Sequence, residues 1–100
     1  MSSSDLDFLA TLETVIRARL EHPDASSYTA SLAASGPQRI AQKVGEEGVE
    51  LALAAVAGNR DEVIDEAADL VYHLLVLLQA RGLGLGDVVA RLEQRHSQRL

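Results

Sequence analysis

From Pro37 to Arg81 the chain keeps helical periodicity on both sides of a single break, Gly58-Asn59. Nowhere does it alternate apolar and polar residues with the period of two that a half-buried strand requires. Two long helices joined by so short a turn pack antiparallel, so the rest of the chain must be built around this hairpin. Pro37, following Gly36, suits the first position of the earlier helix, and Gly58-Asn59 closes it at Ala57. Arg60-Asp61-Glu62 opens the later helix with acids in its first turn, which the helix dipole favours. That helix is expected to continue through Gln79-Ala80-Arg81 and stop at Gly82.

The flanks extend the pattern. Ser2-Ser3-Ser4-Asp5 can cap a first helix over Leu6–Glu21, whose Leu9, Leu12, Val15, Ile16 and Leu20 fall on one face. His22-Pro23-Asp24 ends it, because proline cannot continue the hydrogen-bond ladder. Ser26 to Ser35 predicts a short helix or an ordered connection. Gly84-Leu85-Gly86-Asp87 predicts a turn, with Asp87 capping a last helix toward Leu100. The expected fold is an all-α bundle of four to five helices, a single domain over residues 1–100. With one Phe, two Tyr and no Trp, its core must come from Leu, Val, Ile and Ala.

The net charge of −6 and the single lysine, Lys43, argue against a nucleic-acid partner, which would need clustered basic residues. The absence of cysteine excludes disulfides and thiolate metal sites. Met1 to Asp7 lacks the basic start and apolar run of a signal peptide. The longest apolar runs, Leu51–Gly58 and Leu74–Leu78, are too short to span a bilayer. A soluble, cytoplasmic protein is expected, with no membrane partner.

Eight of the fifteen acids lie between Glu46 and Asp69. Lys43, Glu47 and Glu50 fall at i, i+4 and i+7 along one stripe of the earlier helix, flanked by Glu46. Glu62, Glu66, Asp69 and His73 form the matching stripe of the later one, flanked by Asp65. A polar stripe opposite an apolar face (Val63, Ala67, Leu70, Val71, Leu74 and Leu78) is what an ordinary solvated helix shows. Two features set these stripes apart. Solvated helices mix signs at this spacing, whereas these are nearly all acidic and would repel without a cation. The pattern also repeats, as Glu47-x-x-Glu50 and then Glu66-x-x-Asp69. Oxygen ligands without cysteine suit magnesium or manganese better than zinc.

The run Lys43-Val44-Gly45-Glu46-Glu47-Gly48-Val49-Glu50, with Asp65-Glu66-Ala67-Ala68-Asp69-Leu70-Val71-Tyr72-His73 and the following Leu74 to Leu78, closely resembles phosphoribosyl-ATP pyrophosphatase. That family belongs to the all-α nucleoside triphosphate pyrophosphohydrolases, whose signature is Glu-x-x-Glu followed on the next helix by Glu-x-x-Asp. The resemblance reaches upstream to Ser27-Tyr28-Thr29 and Gln42, and downstream to Ala80-Arg81-Gly82-Leu83, covering roughly residues 6–95. Gly48 departs from it, standing where the family usually has alanine.

The resemblance implies hydrolysis of phosphoribosyl-ATP to phosphoribosyl-AMP and pyrophosphate in histidine biosynthesis. It implies Glu47, Glu50, Glu66 and Asp69 as magnesium ligands, manganese being the alternative ion, and Glu46 as acceptor of the water's proton. Lys43 would contact phosphate, though a plain solvated lysine is an equal reading. Tyr72 and His73 would line the substrate site, or equally be a helix-face tyrosine and a histidine bonded to a carboxylate. Arg39 and Arg81 are further phosphate contacts. Rival functions are a house-cleaning nucleotide pyrophosphohydrolase of the same superfamily and a helical interaction module without catalysis. A di-iron bundle would need two Glu-x-x-His pairs, and only Glu93-x-x-His96 exists.

The apolar residues also speak to assembly. Leu51, Leu53, Val56, Val71, Leu74, Leu75, Val76, Leu77 and Leu78 cover more than one face, with Val76 on the acidic side. A single thin bundle is expected to leave some of them in water, and a homodimer would bury the surplus. The family's members are generally dimers or larger, which points the same way.

Overall fold

A computed structural model describes residues 3–22, 24 and 26–99. They form five helices: α1 (Ser3–Glu21), α2 (Tyr28–Ala34), α3 (Pro37–Ala57), α4 (Arg60–Ala80) and α5 (Leu85–Arg99). There is no strand among the described residues. No single helix among them is long and apolar enough to cross a membrane. Ser2 and Pro23, invoked above as part of a cap and as a helix stop, lie outside the described residues.

The ends of the helices are set by local chemistry. Ser27 Oγ accepts from Ala30 N at 3.2 Å to cap α2, and Asn59 Oδ1 accepts from Glu62 N at 2.9 Å to cap α4. Gly36, at φ 97°, turns the chain into Pro37 and α3. At the far end of α4, Gly82 adopts φ 73°. Leu83 N then bonds Leu78 O at 2.8 Å and Gly82 N bonds Gln79 O at 3.0 Å, closing the helix in a Schellman motif. Asp87 does not stand at the cap position expected of it. It lies in the first turn of α5 and its Oδ2 reaches back to accept from Gly84 N at 2.9 Å, the reciprocal half of a capping box.

The α3–α4 hairpin carries the most extensive helix contact, with α1 and α2 laid across it. Ile16, Leu32, Ile40, Leu75 and Val76 form the buried centre, and Leu12, Leu20, Tyr72, Leu77 and Leu85 pack around it. The helix α5 touches the others only slightly. Glu13 of α1 fastens its start, accepting from Leu85 N at 2.5 Å and from the Gln79 side chain at 3.3 Å.

Part of the apolar set is left in water, as expected, but Val76 is not in that part: on the acidic side of α4, it is 0% exposed within a single chain, as is Leu75. The stripes therefore start in the core, at buried Glu47 and His73, and run outward to exposed Glu50, Glu62 and Asp69. Left in water on the sides away from the acids are Val49 and Val56 of α3, at 60% and 89% exposure, and Ile64 and Val71 of α4, while Leu53, at 65% exposure, lies beside Glu50.

Gly48 offers a direct test of this geometry. A Cβ built there meets nothing within 4 Å, so alanine would fit and its lower backbone entropy in the unfolded chain would favour the helix. Gly48→Ala should stabilise the protein by about 0.5–1 kcal/mol, raising Tm by about 2–8 °C in a thermal melt.

Candidate active site

The site grows outward from the core along two facing stripes. On α3, Ile40 is buried, and one and two turns on come Lys43 and Glu47, then Glu50 at the rim. On α4 the order runs from buried Val76 through His73 to Asp69 and Glu66. Because the helices are antiparallel, each stripe passes from apolar to charged in the same direction. Carboxylate oxygens of Glu47, Glu66 and Asp69 come within 4.8 Å of one another. Glu50 faces Glu66 closely enough to share a hydrogen bond when one of the pair is protonated.

Glu47 is only 5% exposed. Its Oε1 lies 3.6 Å from Lys43 Nζ and 3.4 Å from His73 Nδ1, so the charge is not buried bare. Glu66 is different. Its Oε2 is buried and has no hydrogen-bond partner among the described residues. The hydrogen bond to Glu50, reinforced by burial and by the charges of Glu50, Asp69 and Glu47, holds the Glu66 carboxyl above the ordinary glutamate range. An orphaned carboxylate oxygen beside two converging carboxylates is the donor set a hard divalent cation takes. The residues fit such an ion.

The other expected residues are placed as follows. Glu46 stands outside the converging group and is held by Gln42 Nε2 at 2.8 Å, with Arg39 Nη1 at 3.8 Å and Lys43 Nζ at 3.9 Å. Arg39 is thus near the site only through Glu46. Tyr72 turns its hydroxyl to Thr29 Oγ1 of α2, and its ring meets His73 edge-on at a centroid distance of 5.4 Å. Arg81 ends α4 twelve residues beyond Asp69, about 18 Å along the axis at 1.5 Å per residue, and is not brought to the carboxylates. Tyr28 was missed by sequence reasoning, yet its hydroxyl lies 2.8 Å from His73 Nε2. No local spacing could have found it, because the pairing spans 45 residues of chain.

Beside the cluster an open groove of about 340 Å³ runs between Glu50, Glu62 and Glu66 and the apolar Leu53, Ala54 and Ala57. A larger concavity of about 620 Å³, toward the C-terminal end of α4, is lined by Glu13, Arg17, Gln79 and Asp87. Much of its polar capacity is already engaged internally, since Arg17 Nε donates to Gln79 Oε1 at 3.1 Å and Glu13 holds the start of α5. The smaller groove is the one with chemistry at its wall.

Acidic oxygens converging from two antiparallel helices, with the groove beside them, define an all-helical protein with a carboxylate site suited to a hard divalent cation. The family model for phosphoribosyl-ATP pyrophosphohydrolase matches residues 9–96. The chain is 57% identical over 93 residues to the histidine biosynthesis bifunctional protein HisIE of Vibrio cholerae, covering 93% of this chain and 44% of that protein. Against HisIE of Yersinia pestis the identity is 55% over 97 residues, covering 97% and 48%. Against HisIE of Campylobacter jejuni it is 54% over 94 residues, covering 94% and 45%. The chain spans a little under half the length of these relatives. It belongs to the phosphoribosyl-ATP pyrophosphohydrolase family.

The crowding at Glu66 has a measurable consequence. A carboxyl whose pKa is raised on folding contributes stability that is fully present below its unfolded value and is lost as pH rises through the folded one. In metal-free protein, the Tm of Glu66→Gln relative to wild type should therefore climb as pH rises above the ordinary value of 4.5 and level off above the raised one. A constant difference across that range would show that the repulsion is absent.

Proposed function

We propose that this chain hydrolyses phosphoribosyl-ATP to phosphoribosyl-AMP and pyrophosphate, a step of histidine biosynthesis, as a single cytoplasmic helical domain. Glu47, Glu50, Glu66 and Asp69 would hold magnesium, with manganese able to take its place. The observation that carries this is the buried, unpartnered Glu66 Oε2 among converging carboxylates, in a chain of this family. When bound, the ion would supply positive charge to offset the negative charge developing on the phosphate oxygens.

The chain's own groups do the rest. Glu46, partly exposed at the edge of the cluster, accepts the proton of the attacking water. The water oxygen becomes bonded to phosphorus as the bond between the α- and β-phosphates breaks, and pyrophosphate leaves. Lys43, at 24% side-chain exposure, neutralises Glu47 and can turn one donor outward to a phosphate. Arg39 lies on the same side, through its contact with Glu46. The nucleotide is taken as a free small molecule. A net charge of −6 with one lysine gives no footing for a nucleic-acid chain.

Metal and substrate can be tested together. Magnesium at about a hundred times its Kd should raise stability by about 2.7 kcal/mol. Glu50→Gln and Asp69→Asn should abolish turnover while leaving the helical circular dichroism signal intact. Turnover of phosphoribosyl-ATP, releasing pyrophosphate, should exceed that of ATP and other nucleoside triphosphates. Equal rates would place the chain among the house-cleaning enzymes, and full activity in excess chelator would remove the metal reading.

A homodimer is the assembly that suits the exposed faces. Val49, Leu53 and Val56 at i, i+4 and i+7 make one apolar stripe, and Ile64 and Val71 make a second on the adjoining helix. A two-fold partner would cover both stripes at once. Light scattering should give twice the 10.7 kDa chain mass, and Leu53→Asp should shift it toward the single-chain value. A wild-type mass near 10.7 kDa would rule the dimer out.

A further inference from the structure

We propose that His73, locked by Tyr28, is a positioning residue that holds the Glu47 carboxylate in place for the cation; this rests on the reading that Glu47 is a metal ligand. The imidazole is 6% exposed and one turn beyond Asp69 on the inward stripe of α4. Its Nδ1 lies 2.9 Å from the Asp69 carbonyl oxygen and 3.4 Å from Glu47 Oε1. The Asp69 carbonyl can only accept, so Nδ1 donates to it and carries a hydrogen in either charge state of the ring, with Glu47 Oε1 a longer neighbour of the same N–H edge. Nε2 lies 2.8 Å from the Tyr28 hydroxyl. In the neutral ring that nitrogen accepts and Tyr28 donates, which fixes the tautomer.

The ring is flanked on two sides. Tyr28 and Tyr72 both stand edge-on to it, with centroids 5.8 and 5.4 Å away and interplanar angles of 82° and 85°. Tyr72 is held in turn by its hydroxyl bond to Thr29, a residue 5% exposed. Rotating the imidazole would turn C–H toward two acceptors and leave Tyr28 without its partner. Both ring nitrogens are therefore engaged within the protein, and neither is free for substrate.

What the ring does is constrain Glu47. The cation beside Glu47 is Lys43, at 3.6 Å, a flexible ammonium that can follow the carboxylate wherever it moves. The imidazole is held by its bonds to the Asp69 carbonyl and Tyr28, so its N–H edge is a stationary wall 3.4 Å from Glu47 Oε1 and limits where the carboxylate can lie. Through the Asp69 carbonyl the same nitrogen also ties Glu47 to the turn that carries a second carboxylate of the cluster. The helix α2 thus reaches the site at second hand, through Tyr28, without contributing a carboxylate to it.

The test is ion binding to the full chain without substrate, using Mg²⁺ in calorimetry and Mn²⁺ as a paramagnetic probe. His73→Gln moves the amide donor to the Nε2 side and should weaken affinity by about 10–100-fold. His73→Asn keeps an N–H where Nδ1 stood and should recover most of the loss. Tyr28→Phe keeps the ring and loses only the hydroxyl. It should weaken affinity by about 3–10-fold and turn the single tautomer seen by ¹⁵N resonance into a mixture. Melting curves separate these effects from unfolding. Unchanged ion affinity in folded His73→Gln, or equal losses in the Asn and Gln variants, overturns the proposal. A wild-type chain that takes up neither ion removes the underlying assignment of Glu47, and this inference falls with it.

Discussion

The structure turns on a conflict between charge and packing at one place, the seam between α3 and α4. Burying a carboxylate is costly unless it is paired, and here Glu47, Glu66 and Asp69 converge where the hairpin closes. Glu47 is compensated by Lys43 and His73. Glu66 has no cation beside it among the described residues: its Oε2 is unpartnered, and the hydrogen bond shared with Glu50, then burial and the charges of Glu50, Asp69 and Glu47, raise its pKa. The remaining architecture makes that crowding tolerable. Ile40 and Val76 anchor the two stripes in the core immediately below the acids, and the long hairpin contact prevents the helices from parting to relieve the repulsion. A cluster that cannot relax is held ready for a cation, which is how a binding site can be built at the expense of stability.

That design explains which parts were legible in the sequence. The hairpin was, because Gly36-Pro37, Gly58-Asn59 and Gly82 punctuate a strong helical period, and the observed bounds of α3 match the expected ones at both ends. The carboxylate stripes were also legible, since the positions sharing a helix face follow from spacing alone. Spacing does not say which face turns inward. Hydropathy pointed to the side carrying Val63, Ala67, Leu70, Val71, Leu74 and Leu78, which is half-buried except at exposed Val71, whereas the most buried positions of α4 are His73, Leu75 and Val76. A stripe that mixes valine, histidine and glutamate has an ambiguous hydropathy, and tertiary contact with Ile40 and Ile16 decides it. Asp87 illustrates a smaller ambiguity. The same residue type caps from the first position or reaches back from the third, and only the helix start at Leu85 distinguishes them.

The contribution of α2 was illegible for a different reason. Its seven residues carry no charge and no ligand. Their relevance lies in two hydroxyls, Tyr28 to His73 and Thr29 to Tyr72, each made across more than forty residues of chain. Such bonds leave no periodic trace, although the positions involved fall within the stretch that resembles the family.

The inversion of the faces carries through to assembly. In an ordinary surface helix the apolar side is satisfied within the chain and the charged side meets water. Here the charged stripe is used internally, and α3 keeps Leu53 and Val56 outside. Moving them inward would require rotating α3 about its axis, and that rotation would carry Glu47 and Glu50 away from Glu66. The site and the exposed apolar stripe are thus two consequences of one helix orientation. The chain cannot improve its own burial without dismantling the carboxylate cluster, so a second surface must cover the stripe if it is to be covered at all. Any association through this stripe would be coupled to the site through the orientation of α3, even with no ligand from the partner.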